Sequence, residues 1–193
     1  MTFLQHRNDW WAYIEGQDDA PAYAAGQLQA ALGIVPETNP VALFHADTAV
    51  VVQLDRYTQL LARHSTTTHE KLVVNLAQAR LRQTTPDQAF VFVRDAVLTR
   101  EQQPRALRAS KALTESLGED DVNELLMLHR QLSDRILAVL EQQRRHATLR
   151  LARAWYVCGQ RLLDHYQRLK EEHGLLDFTD LEWKTCQLLN RSR

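Results

Sequence analysis

YQRLKEEHGLLDFTDLEWKTCQLL, residues 166–189, decides how the rest of the chain is read. Leu162, Leu163, Tyr166 and Leu169 fall at helical spacing. Gly174 then ends that helix, because only glycine takes the left-handed C′ position without a Cβ penalty. Asp177 is placed to cap a second helix, and Asp180 three residues on completes an approximate capping box. Leu176 before the cap and Leu181 after it are spaced as a hydrophobic staple. The stretch therefore reads as a helix–corner–helix joint at Gly174–Leu181, and on physics alone as a packing corner.

The rest of the chain fits that helical frame. With 193 residues it suits one domain or one large subdomain, so 1–193 is read as a single helical unit. A hydrophobic share of 45% against a charged share of 24% rules out wholesale disorder. The net charge of −1 gives no global field that would attract nucleic acid. Cys158 and Cys186 cannot make a disulfide framework, and their places on apolar helical stripes predict buried small hydrophobes. Met1-Thr2-Phe3-Leu4 turns polar at once at Gln5-His6-Arg7-Asn8, and no apolar run is long enough to span a bilayer. The expectation is a cytoplasmic protein with no membrane partner.

Local signals place the helices. A short one holds Trp10-Trp11 and ends at Gly16; neighbours on a helix point about 100° apart, which predicts that one Trp covers a partner surface. Asp18-Asp19 before Ala20-Pro21 starts another, with Ala24, Leu28, Ala31 and Leu32 inward and Gly33 as its stop. Residues 34–46, with Pro36 and Pro40, read as a loop. Asp47 caps a stripe of Val50, Val51, Leu54, Tyr57, Leu60 and Leu61. Thr67 with Glu70 reads as a capping box for a helix with Leu72, Leu76 and Ala79 inside. Thr85-Pro86 opens a helix to about Val97, preferred over a strand at Phe90–Val93 because no partner strand is evident. Residues 98–105 form a polar connection, followed by a basic amphipathic helix over 105–117 with Leu107, Leu113 and Leu117 inward and small Ser110 on the same face.

Asp121 with Glu124 reads as the next cap. From Val122 to His173 there is no Pro and only Gly159, and Leu125, Leu132, Ile136, Leu140, Ala147, Leu151, Ala154, Cys158, Leu162 and Tyr166 trace one apolar stripe. A single helix of that length would run roughly 75–80 Å, so a break at the polar patch Gln142–Thr148 is expected, with one bent helix as the alternative. The fold class is all-α, an irregular array of about seven or eight helices with long C-terminal helices.

Few constellations carry chemistry. The eight His form no H-E-x-x-H and no i,i+4 pair, and there is no C-x-x-C, so no metal site is expected. Asp177 and Asp180 are a paired carboxylate that capping already explains, and no catalytic residue is assigned. Charge, however, is uneven. Residues 1–57 set Asp9, Glu15, Asp18, Asp19, Glu37, Asp47 and Asp55 against Arg7 and Arg56. Two later stretches are basic, one with Arg94, Arg100, Arg105, Arg108 and Lys111, the other with Arg144, Arg145, Arg150, Arg153, Arg161, Arg168 and Lys170. Arg outnumbers Lys there, which suits phosphate. The competing reading is a solvated helix face.

Tyr166, Lys170, Gly174, Leu176-Asp177-Phe178, Asp180-Leu181 and Leu188-Leu189 match the pattern Y-x3-K-x3-G-x-L-D-F-x-D-L…L-L. This resembles the UvrD/Rep/RecB/AddA superfamily 1 DNA helicases, where the pattern closes helical subdomain 1B shortly before the Walker B strand. Phe92, Val97-Leu98-Thr99, Pro104-Arg105 and Lys111-Ala112-Leu113 are similar to the AddA-branch pattern F…FLT…G-PRK…K-A-L, with Gln103 where that pattern carries Gly. The likeness covers roughly the second half of the chain.

The resemblance implies a piece that contacts duplex DNA through its backbone, with Arg105, Arg108, Lys111, Arg144, Arg145, Arg150 and Arg153 as candidates. It implies as partners double-stranded DNA and the remaining helicase domains of a parent that uses ATP and Mg²⁺. No G-x-x-x-x-G-K-[ST] loop occurs, and no D-E-x-x-D follows the joint before Arg193, so no cofactor and no ATP hydrolysis are expected of this chain. The alternative is a helical scaffold that binds a protein partner through the Trp10-Trp11 end.

Overall fold

The structure is a computed structural model that describes residues 4, 6–64, 66–81 and 83–191, the last without its side chain. Met1, Thr2, Phe3 and Gln5, on which part of the N-terminal reading rests, lie outside the described residues, as do Ser65 of the polar break and Arg193. Among the described residues there are nine helices and no strand. The chain divides into two compact units, a terminal one of Met1–Val35 with Arg145–Arg193 and a central one of Pro36–Arg144.

The terminal unit holds α1 (Arg7–Ile14) and α2 (Ala20–Ala31). Asp19 caps α2 by accepting from the Ala22 N–H, with Pro21 in the first turn. Gly33 at φ +62° stops it: its N–H donates to the Ala30 carbonyl and that of Ile34 to the Gln29 carbonyl, a pair of bonds that consumes the open C-terminal acceptors.

In the central unit the expected 34–46 loop contains α3 (Pro40–Ala46). Asn39 accepts from the Val41 and Ala42 N–H groups, and Pro40 sits at the first helical position where its missing N–H costs nothing. Proline there is a start signal, which corrects the loop assignment. Asp47 caps α4 (Thr48–Arg63) as expected, accepting from the Ala49 N–H. α5 (Thr67–Gln78) is capped one residue earlier than expected, by Thr66 accepting from the His69 N–H. α6 (Pro86–Val97) opens on a reciprocal box between Thr85 and Gln88.

Leu98 and Pro104 form an isolated bridge across a tight turn, with the Arg105 N–H donating to the Val97 carbonyl at 2.9 Å. That bond ties the backbone after Pro104 to the end of α6, and residues 105–110 carry no helix. The basic helix expected over 105–117 therefore exists only as α7 (Lys111–Leu117), and Ser110 is its N-cap, not a small packing residue.

α8 (Glu119–Glu172) is one continuous helix of 54 residues, which corrects the expected break at Gln142–Thr148. Gln, Arg and Ala in that patch are strong helix formers, and polarity by itself does not interrupt a helix. The boundary between the two units nevertheless falls inside it, between Arg144 and Arg145. α8 starts after Gly118, so Asp121 is no cap; it pairs with Arg56 at 2.9 Å and with Arg63 and ties α8 to α4, while Arg56 also reaches Glu124 at 3.0 Å.

The central unit buries one apolar cluster. Tyr57, Leu60 and Leu61 of α4, Phe90, Val93 and Val97 of α6, and Leu125, Leu132 and Ile136 of α8 make its middle. The terminal unit has a thinner core of Ala24, Ala25, Ile34, Leu149 and Leu163. It adds ring contacts, Trp10 on Tyr156 and Trp11 on Trp183 among them. The expected stripe is right for the first half of α8 and wrong for the second. Leu151, Ala154, Cys158 and Leu162 are exposed, and Leu149, Leu163 and Lys170 face inward instead. Both cysteines are exposed, against the expectation of burial. The second half of α8 is apolar on two faces, and only one finds a covering neighbour. α9 (Phe178–Arg191) completes the terminal unit and lies against α1.

Candidate functional site

The joint brings the most charge together. α8 ends at Glu172, and Gly174 takes φ +62°. The Leu175 N–H then donates to the Lys170 carbonyl at 2.8 Å and the Gly174 N–H to the Glu171 carbonyl at 3.1 Å. Asp177 and Asp180 form the expected box, each accepting the other's backbone N–H at 3.0–3.1 Å.

The same two carboxylates meet two cations. Lys170 Nζ lies 3.1 Å from Asp177 Oδ2 and also pairs with Asp180. Arg7 Nη2 lies 3.1 Å from Asp180 Oδ1 and also pairs with Asp177. Tyr166 Oη donates to Asp177 Oδ2 at 3.1 Å and Gln167 Nε2 to Asp180 Oδ1 at 3.2 Å. The Tyr166 ring lies 4.9 Å from Lys170 Nζ and 5.5 Å from the Arg7 guanidinium carbon, close enough for cation–π attraction. Arg7, Lys170 and Asp180 are all buried.

Burial pushes the Asp180 carboxyl up, but hydrogen bonds from Lys170, the Asp177 backbone, Arg7 and Gln167 outweigh it and hold the group well below the usual carboxylate range. Asp177 is lowered for the same combination of reasons. Two anions against two cations leave the network close to neutral. It is a closed lock between α1, α8 and α9, and its carboxylates are engaged in a way that does not fit Mg²⁺ binding. Among the described residues no group of His, Cys, Asp and Glu is arranged to hold a metal ion.

Of the motif positions, Tyr166, Lys170, Gly174, Asp177 and Asp180 converge here. Leu176, Phe178 and Leu181 do not; each is more than half exposed, so the Leu176–Leu181 staple buries little. Sequence reasoning misses Arg7. It sits beside Trp11 like a surface residue, and its partners lie some 170 positions away.

The basic candidates fall in both units. In the central one, Arg105 and Arg108 are exposed on the irregular segment before α7, and Arg105 Nε donates to the Asp95 carbonyl at 3.1 Å. Lys111 lies 3.8 Å from Glu115, and Arg144 bonds Gln102 and lies 3.8 Å from Glu141. In the terminal unit, Arg145 Nη1 donates to the Leu32 carbonyl at 3.2 Å, a cation at the negative end of the α2 dipole. Arg153 Nη2 bonds Gln29 Oε1 at 2.7 Å, and Arg150 is exposed.

Trp10 stacks on Tyr156 with ring centroids 5.7 Å apart and donates Nε1–H to Gln160 at 3.0 Å. Trp11 packs on Trp183 at 5.6 Å. The two rings do diverge, but towards α8 and α9 of the same unit, so their adjacency gives no argument for a partner-facing Trp.

The central unit buries a second polar group. Tyr57 Oη lies 2.9 Å from His129 Nδ1, and His129 Nε2 lies 2.8 Å from the Arg105 carbonyl. A carbonyl only accepts, so Nε2 carries the proton and Nδ1 accepts from Tyr57. Burial holds the His129 imidazole below its ordinary value, against a smaller opposing effect of the Arg105 carbonyl. No helix among the described residues is long and apolar enough to cross a membrane. No protein-family model, curated protein or solved structure matches the chain.

Proposed function

We propose that this chain is a DNA-contacting helical element of an ATP-dependent DNA helicase of the RecB/AddA-like recombination and repair branch, acting in the cytoplasm and without motor activity of its own. The observation that supports this reading is the convergence of Tyr166, Lys170, Asp177 and Asp180, four positions of the helicase-like pattern, in one partly buried network. A network of this kind fixes the exit of α8 into α9. Arg105, Arg108, Lys111, Arg144, Arg145, Arg150 and Arg153 are the candidate phosphate contacts, each acting through charge without reading bases. ATP and Mg²⁺ belong to other parts of such a helicase, since this chain carries no phosphate-cradling loop.

The test is fluorescence anisotropy of the chain with a forked duplex at low salt. Weak, sequence-independent binding is expected, with Kd about 10⁻⁴–10⁻⁶ M. Arg150→Glu with Arg153→Glu weakens it and flattens the dependence of log K on log salt by about 0.9 for each phosphate that is no longer neutralised. A flat titration, or a double variant that binds as tightly as the parent, removes DNA from the reading and leaves a protein-binding scaffold.

A further inference from the structure

The second half of α8 carries an apolar repeat that the terminal unit leaves open. Leu151, Trp155, Cys158, Leu162 and Leu169 follow one another at steps of four, three, four and seven residues, and His165 takes the intervening place. All are exposed, Leu151 to 73% and Trp155 to 68%. The residues that pack inward from the same stretch, Leu149, Tyr156, Leu163 and Lys170, lie on the other side of the helix. The open residues are thus a second apolar face and not the rim of the core. Steps of four and three are the 3.5-residue repeat of a coiled-coil seam, which suits another helix laid along it.

Two further features describe the occupant. At about 100° per residue, Arg150, Arg161 and Arg168 form a row along one edge of the seam. Among the described residues none of the three pairs with a carboxylate; Arg168 bonds only His165 Nδ1, at 3.1 Å. Near the other edge, Trp155 joins Trp10, Tyr156, Gly159 and Gln160 in lining a small apolar notch that can accept one side chain of a docked helix. A second copy of this chain is a poor match. Packed antiparallel, its arginine row meets the same row; packed parallel, Arg161 and Arg168 meet Tyr166 and His173, neither of them anionic.

We propose that the Leu151–Leu169 seam of α8 docks an amphipathic helix of another protein, with leucine-type residues in the seam and carboxylates along the edge that meets Arg150, Arg161 and Arg168. The proposal stands independently of DNA contact. Edge charges of this kind decide which helix is accepted, while the apolar seam supplies affinity.

The test uses the full chain and two three-heptad peptides with Leu at the a and d positions, one with Glu and one with Lys at e and g. Binding is read by calorimetry and by the alkylation rates of Cys158, on the seam, and Cys186, away from it. The Glu peptide is expected to bind one to one and to slow Cys158 alkylation while leaving Cys186 unchanged. The Lys peptide binds roughly tenfold more weakly, the sum of several edge pairs of a few tenths of a kcal/mol each. Arg161→Glu with Arg168→Glu reverses that preference, and Leu162→Glu abolishes binding of both. These side chains are exposed, and an unchanged melting curve verifies that the variants fold. Equal binding of the two peptides, no protection of Cys158 by either, a chain dimer that Leu162→Glu dissociates, or protection of Cys158 by the forked duplex would each overturn the proposal.

Discussion

Asp177 and Asp180 cap each other: the Asp180 N–H donates to Asp177 Oδ1 at 3.0 Å, and the Asp177 N–H donates to Asp180 Oδ2 at 3.1 Å. The bonds look symmetrical, yet the two carboxylates are unequally placed. Asp180 is buried among Arg7, Lys170 and Gln167, whereas Asp177 is partly open to water. Asp177→Ala is expected to cost about 0.5–2 kcal/mol, the usual loss of an N-cap. Asp180→Ala is expected to cost about 3–5 kcal/mol, because it leaves buried Arg7 and Lys170 short of an anion. Urea denaturation of the two variants gives the order, and equal losses would refute the inequality.

Gly174 and Gly26 make a pair with opposite signs. A Cβ at either position meets nothing within 4 Å, so neither substitution has a steric neighbour to displace. Gly174 sits at φ +62°, and Gly174→Ala is expected to cost about 1–2 kcal/mol of backbone strain. Gly26 lies inside α2 with ordinary helical backbone, so Gly26→Ala is expected to stabilise by about 0.5–1 kcal/mol. Thermal melts of both variants read the two signs directly.

Tyr57→Phe keeps the ring in the central core and removes only the hydroxyl that donates to His129 Nδ1. The nitrogen is left buried without a donor, at an expected cost of about 1–3 kcal/mol. A melt within experimental error of the parent would show that His129 Nδ1 finds another donor.

Two acid transitions are expected at different pH. His129 has its folded value lowered from 6.5 by burial. The unfolded chain therefore binds the proton first, and this contribution to stability is present above 6.5 and is lost as pH falls below it. Asp180 and Asp177 are lowered from 3.8, so their contribution is present above that value and is lost only as pH falls below it. Denaturant midpoints between pH 8 and 3 should thus fall in two stages, roughly below 6.5 and roughly below 4. NMR titration of His129 at or above 6.5 would exclude the first stage, and Asp180→Asn should flatten the second.

What the sequence discloses here depends on how local the cause is. Asp19, Asp47, Thr85 and Asp177 start helices through bonds to residues two or three positions on, and each is legible in place. Asn39-Pro40 misleads because proline signals both loops and first helical turns, and a seven-residue helix shows too little periodicity to decide. The second half of α8 misleads for another reason. Leu149, Tyr156 and Leu163 trace one apolar line and Leu151, Cys158 and Leu162 another, and periodicity cannot say which line meets a neighbour. Arg7 is invisible in the sequence because the carboxylates that neutralise it, Asp177 and Asp180, lie at the far end of the chain.

The turn between α6 and α7 has an engineering consequence. Its base is fastened twice, by the Arg105 N–H on the Val97 carbonyl at 2.9 Å and the Thr99 N–H on the Gln103 carbonyl at 2.8 Å, while Glu101 at its tip is exposed. Fastened at its base and held near its tip by the Arg144 bond to Gln102, it still offers the exposed Arg100–Glu101 side as a graft point. The entropy of closing a longer loop grows only by about 0.6 kcal/mol per doubling. A short epitope or a metal-binding tag spliced beside Glu101 should therefore leave the melting temperature of the central unit nearly unchanged. The same insert within Val93–Val97 would divide the core of that unit.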